Sequence, residues 1–386
     1  MRGPRALKRE EFDELLNMLN RIFRLDEQDN ISFWRGVYDH DLEDILVIEE
    51  DGRVVSHVSV FPFQISVRGS QIKVGEVGGV ATDEKHRMRG FASSLLKYSI
   101  EKMTREGYDL SSLGGYRDRY GRWGWELAGE ECVYTVDRRS IQAAKETAGV
   151  EFWQYAGDRS DLTKIAELHD GEPVRTLRSW QIYQFLFNNL PKVTMQAWLA
   201  EVPGLGLSYL VLDRPDEKAA AIAEFGGNPE VFKLFLKWLF DKEELDKVTV
   251  VAPSIYTPFI PALTEISGHY LINAFRMIRI INLKGCLEKL APVIEDRLKR
   301  MEFRSPFALS LEVTDTGQRS TLNFDGNLQI CSEPEGERVT LDQRSMVRLL
   351  FGPGKATKNF DFKGRVGLLL DTIFPLDFYV WPLDRR

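Results

Sequence analysis

Cysteine is scarce in this chain: Cys132, Cys286 and Cys331 are the three among 386 residues. They are too few for a disulfide framework and too far apart for a zinc spacing, so a reducing, cytoplasmic setting is expected. The five histidines, His40, His57, His86, His169 and His269, show no metal-ligand spacing either, and no metal is expected. Long apolar runs are missing. None approaches the roughly 20 residues that cross a bilayer, and the opening MRGPRALKREEF holds no signal-peptide core, so no membrane partner is expected. A basic excess is also absent. The net charge is −7 and the pI near 5.5, which leaves no electrostatic footprint for nucleic acid. No serine or cysteine stands in a recognisable hydrolase setting.

What is present is a globular composition, 43% hydrophobic and 28% charged, in a chain long enough for two or three domains. Residues 8–24 are spaced as an amphipathic helix, with Phe12, Leu15, Leu16, Leu19, Ile22 and Phe23 on one face. Trp34 follows in an aromatic pair and is a candidate substrate-binding residue, packing being the alternative. Strands are expected over Asp44–Glu49, Val54–Val67 and Ile72–Thr82, joined by turns at Asp51-Gly52 and Arg68-Gly69-Ser70. Glu76, on the third of these, is a candidate substrate contact; the competing reading puts it on the strand's solvated face. Ala92, Leu95, Leu96, Ile100 and Met103 then mark a helix that Gly107 stops.

Between that third strand and that helix lies Val80 to Ser93, VATDEKHRMRGFAS. Gly90 and Ala92 are small enough for backbone N–H groups to approach a bulky anion. Those groups sit where the helix dipole favours negative charge, and Arg87 and Arg89 flank the turn. By physics alone this is a pyrophosphate cradle, with Val80, Ala81, Thr82, Arg87, Met88, Arg89, Gly90, Phe91, Ala92 and Ser93 as its candidate residues. The pattern resembles the Arg/Gln-x-x-Gly-x-Gly/Ala motif of GNAT N-acetyltransferases, which holds the pyrophosphate of acetyl-CoA; many of these enzymes carry a base on the preceding strand, which the resemblance implies for Glu76.

Downstream, a strand over Asp109–Gly115 leads into Tyr120-Gly121-Arg122-Trp123-Gly124-Trp125, and Cys132–Arg138 reads as the strand that closes the first domain. The Tyr-Gly-Arg-aromatic-Gly-aromatic segment is similar to that of the Eis (enhanced intracellular survival) branch of the GNAT superfamily. That resemblance implies Tyr120 as general acid, a task suited to a side chain protonated at neutral pH. It also implies the main-chain carboxylate of Arg386 as base, reached through the aromatic end Phe378–Trp381.

The fold expected is α/β (α+β). Two tandem GNAT-like domains with mixed central sheets, 1–145 and 146–285, precede a sterol-carrier-like α+β domain, 286–386. The second region repeats the element order: strands at Thr194–Ala200, Leu207–Leu212 and Ala219–Phe225, then a helix at Val231–Phe240. There Gly226-Gly227-Asn228-Pro229 enters the helix without an Arg-x-x-Gly-x-Ala segment, so this domain is expected to be scaffold. In the third, a charged helix over Pro292–Met301 precedes strands at Phe307–Val313, Ser320–Phe324, Leu328–Cys331 and Arg338–Leu341. The function implied is transfer of acetyl from acetyl-CoA, the co-substrate, to a primary amine that is aminoglycoside-, polyamine- or lysine-like. The alternatives are a protein-lysine acetyltransferase and a non-catalytic acyl-CoA or lipid carrier. A homo-oligomer, hexamer or dimer, is implied as well.

Overall fold

The computed structural model describes residues 2–24, 42–144, 149–214, 217–255 and 257–385. The chain forms two compact units, one of residues 1–129 and 275–376, the other of residues 130–274 and 377–385.

In the first unit, strands β1 (Arg2–Ala6), β2 (Ile45–Glu50), β3 (Arg53–Val67) and β4 (Ser70–Thr82) run antiparallel in that order. The turns fall where expected. Asp51 and Gly52 both have positive φ, as do Arg68 and Gly69, which matches the right-handed twist of the strands they join. Helix α1 (Phe12–Phe23) buries Phe12, Leu15, Leu16 and Leu19. Helix α2 (Phe91–Arg105) crosses from β4 to β5 (Leu110–Leu113), which lies parallel to β4. Its Phe91, Leu95, Leu96 and Met103 pack on the sheet. Gly75 makes room for them: a Cβ there would stand 2.5 Å from the Met103 sulfur.

The sheet closes differently from expectation. The strand Arg276–Ile280 pairs with β5 on one side and with β6 (Glu126–Ala128) on the other. The segment expected to close it, Cys132–Arg138, instead contributes the strand Glu131–Asp137 to the second unit's sheet, between Lys247–Pro253 and His269–Asn273. Strand pairing therefore ignores the divisions expected near 145 and 285. Alternating apolar residues mark a strand but say nothing about which distant edge it joins.

Also in the first unit, a mixed sheet orders its strands Leu328–Cys331, Arg319–Phe324, Phe307–Val313 and Glu337–Leu341. The helix beside it starts at Leu283, earlier than Pro292, because Asn282 caps the Gly285 N–H and the apolar stripe Leu287, Leu290, Val293, Ile294, Leu298 runs through the proline. The second unit's sheet carries helices Arg159–Asp170 and Pro229–Lys242. Phe225, Phe232, Phe259 and Trp381 form an aromatic core there. The molecule thus has three mixed sheets of α+β type. Among the described residues no helix is long and apolar enough to cross a membrane.

Candidate active site

β4 pairs with β5 only over Val74–Glu76. Beyond that point β5 has no register with it, and Val80, Ala81 and Thr82 of β4 line a cavity. On its other side β4 bulges against β3: Ser59 faces Gly78 and His57 faces Ala81, so Gly79 and Val80 oppose the single Val58. Gly79 takes φ +59 at this point.

The bulge has a buttress. His57 is fully buried, with Nδ1 2.6 Å from the Gly79 carbonyl and Nε2 2.8 Å from the Ser59 hydroxyl. A carbonyl only accepts, so Nδ1 carries the proton and Nε2 accepts from Ser59. Burial pushes the imidazole down to about 4, overriding the Gly79 contact that favours the charged form, so it is neutral at pH 7. In sequence His57 showed only the lack of a metal spacing; nothing local identifies a histidine that holds a neighbouring strand's bulge.

Past the bulge the chain turns through Asp83–Gly90 into α2. Gly90 has φ +80, and a Cβ built there would meet nothing within 4 Å. The conformation, rather than crowding by any described residue, calls for glycine. Among the described residues no side chain caps this helix, and its first backbone bond runs from Ser94 N to Gly90 O. The N–H groups of Phe91, Ala92 and Ser93 therefore have no helical acceptor.

The flanking arginines differ. Arg89 forms a two-point ion pair with Glu50, whose carboxyl it lowers, and leans over the Phe91 ring. Arg87 is more available, held by the Thr82 carbonyl at 3.4 Å and by Glu84 at 3.6 Å. Met88 points fully into solvent.

These elements wall a cavity of about 710 Å³. The ten residues read as a candidate cradle, Val80 to Thr82 and Arg87 to Ser93, all line it, and so does Tyr120. Ile22, Phe23 and Leu96 give it apolar surface, while Arg119 and Arg122 bring its described arginines to four. No Asp or Glu is among its described lining residues. In a chain of net charge −7 this is a locally cationic cavity, suited to a polyanion. The two further arginines were visible in the Arg-Asp-Arg-Tyr-Gly-Arg run, but that their side chains line the same wall was not.

Tyr120 ends a one-turn helix, Arg117–Tyr120. Its ring is fixed by packing: a Cβ on Gly115 would stand 2.5 Å from the ring edge. Among the described residues its hydroxyl has no hydrogen-bond partner, so it does not cap a turn. The segment is braced by the buried Glu126, which accepts from both Arg117 and Arg344; burial alone would raise that carboxyl, but the two guanidiniums hold it low. Gly124, at φ +85, leaves room for the Arg279 guanidinium, which donates to the Trp123 carbonyl.

Glu76 stands apart from this cavity. It is 1% exposed and ion-paired with Arg276, so it is neither on a solvated face nor among the cavity residues. Trp34 and Arg386 lie outside the described residues. The segment leading to Arg386 is described, and it is firmly packed. In the second unit Tyr379, Val380 and Trp381 are buried, and the Trp381 indole donates to the Val174 carbonyl at 3.3 Å. Asp384 takes two bonds, 2.8 and 2.7 Å, from the buried Arg178, and Arg385 reaches Glu131 at 2.7 Å.

The second unit's corresponding helix start is closed to anions. Asn228 Oδ1 accepts from the N–H groups of Glu230 and Val231 at 2.9 and 3.2 Å, and Pro229 has no N–H to offer.

Residues 4–128 match the acetyltransferase (GNAT) domain family. An uncharacterized N-acetyltransferase of Escherichia coli K12, YhbS, is 25% identical over 122 residues, which is 29% of this chain and 72% of that protein. A probable N-acyltransferase from Enterococcus faecalis V583 superposes with a TM-score of 0.75 at 15% identity, covering 97% of both chains. A GCN5-related N-acetyltransferase from Anabaena variabilis gives 0.72 at 19% over 99% of both. Eis1 from Mycobacterium abscessus gives 0.70 at 12% over 98% of both. At these identities the structural likeness is one of fold, and it extends over the whole chain.

Proposed function

We infer, from the premise that this is a GNAT-family N-acetyltransferase whose GNAT domain spans residues 4–128, that the protein transfers acetyl from acetyl-CoA to a primary amine. The family implies an acyl-CoA co-substrate. The observation that carries the reading is the meeting of an uncapped helix start, four arginines and the Tyr120 ring in one cavity.

The residues fit the co-substrate. The Phe91, Ala92 and Ser93 N–H groups and Arg87 would hold a pyrophosphate, with Arg119 and Arg122 available to further phosphate. Bound acetyl-CoA supplies the acetyl group as a thioester. The backbone of Val80–Thr82, left without a β5 partner, is assigned to donate to the thioester carbonyl. A neutral amine attacks the carbonyl carbon; a C–N bond forms and the C–S bond breaks. Tyr120 gives its proton to the departing thiolate, and a base takes the proton lost by the amine. The base is assigned, on the Eis resemblance, to the main-chain carboxylate of Arg386. The pairing of Glu76 with Arg276 weighs against the rival. An acidic chain suits cationic acceptors, of polyamine, aminoglycoside or lysine type.

Screening primary amines for CoA release in the presence of acetyl-CoA tests the reading, with calorimetry expected to return one acetyl-CoA per chain. Two equivalent sites would overturn the scaffold reading of the second unit. No release with any amine, together with fatty-acid binding, would turn the protein into a carrier.

Amidation of the Arg386 carboxylate, or a tag placed after it, is expected to slow turnover about tenfold or more while acetyl-CoA affinity holds. A tagged protein at full rate beside a dead Glu76→Gln variant would transfer the role to Glu76.

A further inference from the structure

The second unit has a cavity of its own, about 410 Å³, beside the first turn of the helix Pro229–Lys242. It occupies the place, after a strand and before a helix, where the first unit keeps its anion cradle. The chemistry is inverted. The helix donors are consumed by Asn228 or removed by Pro229, as described above. No Lys, Arg or His is among its described lining residues, whereas Glu167 stands at the rim and Glu172 in the wall. Phe259, Pro229 and Pro258 supply an apolar surface.

Glu172 is the telling residue. It is 8% exposed, it lines the cavity, and among the described residues no donor reaches its carboxylate. A buried carboxylate is ordinarily paired or hydrogen-bonded. Its charged neighbours do not serve it. Arg175 donates to the Glu172 main-chain carbonyl and lies beside Asp170. Glu224, on the strand Ala219–Gly227, is itself held by Arg178, His169 and the Tyr209 hydroxyl, and its charge opposes that of Glu172. Burial and Glu224 push the Glu172 carboxyl up to about 7, against a smaller lowering by Arg175. The group is poised between its two forms at neutral pH.

We propose that this cavity is a second binding site, for a small organic cation, with the ammonium paired to Glu172 and its apolar body against Phe259 and the prolines. A metal ion suits it less. Hard cations want several oxygen ligands, and no cluster of three His, Cys, Asp or Glu is found among the described residues. The cation would supply the partner that the fold withholds.

Titration calorimetry with benzylamine, on the full chain without acetyl-CoA, is the test, run at pH 6 and pH 8 on wild type and Glu172→Gln. Ionisation of a group near pH 7 should strengthen benzylamine binding roughly tenfold across that range. Glu172→Gln should lose this event and its pH dependence. Folding is checked independently. The wild-type carboxyl is protonated more readily folded than unfolded, so its charge opposes folding once the pH exceeds its folded value. Glu172→Gln should therefore melt no lower than wild type at pH 8. Benzylamine affinity that is flat with pH and equal in the two proteins would overturn the proposal. So would calcium chloride binding that depends on Glu172 where benzylamine binding does not. Because nothing is acetylated in this assay, failure here and failure of the transferase reading remain separate results.

Discussion

Tyr120→Phe is expected to leave acetyl-CoA affinity within about twofold and to slow turnover by about 10²–10⁴-fold, the usual worth of a positioned proton donor. The substitution isolates the hydroxyl. The ring is retained and keeps its seat against Gly115. Since no described residue hydrogen-bonds the hydroxyl, its removal strands no buried partner, and stability should change little. Loss of rate with intact binding and melting temperature is therefore a chemical effect. It is read from kcat under conditions where chemistry limits, with single-turnover mixing as the check. A variant that acetylates amines at the wild-type rate would reduce Tyr120 to a packing residue and would leave the departing thiolate to be protonated by solvent.

Gly90→Glu should weaken acetyl-CoA by more than about 100-fold, with the fold retained. Two effects combine. A side chain at φ +80 is strained by roughly 1–2 kcal/mol. Its Cβ meets nothing within 4 Å, so the carboxylate is free to sit in front of the Phe91, Ala92 and Ser93 N–H groups, where it competes with the phosphate. Gly90→Ala carries the strain without the charge and should cost far less. Calorimetry of the pair separates them. Equal affinities for the alanine and glutamate variants would mean that the start of α2 is not the phosphate cradle.

How much of the site was legible in the sequence follows from how local each feature is. A helix start with free N–H groups is made by consecutive residues, and Val80–Ser93 falls where the sequence pattern put it. Tyr120 was legible for the same reason, as part of one short run whose residues fold together. The closed helix start of the second unit was legible too, because Asn228-Pro229 acts on the turn that it begins.

Glu76 was not. A strand alternates its faces, and an acidic residue in the pattern looks the same whether it meets water or Arg276 from a strand far along the chain. The bulge in β4 is held by His57 across the sheet, and β5 is paired on its other side by Arg276–Ile280 from far along the chain. The anchoring of the last residues rests on Arg178 and Asp384, 206 positions apart.

By itself, then, the sequence determined the local elements: the turn and helix start within Val80–Ser93, the short Tyr120 segment, and the hairpin turns at Asp51-Gly52 and Arg68-Gly69. Only the tertiary structure decided which strands close which sheet, which carboxylates are spent on ion pairs, and that Glu172 lines a cavity with no donor among the described residues. Backbone conformation and N–H availability are fixed within a turn of the chain. Strand partnership and charge pairing are settled between segments that meet only when the core forms.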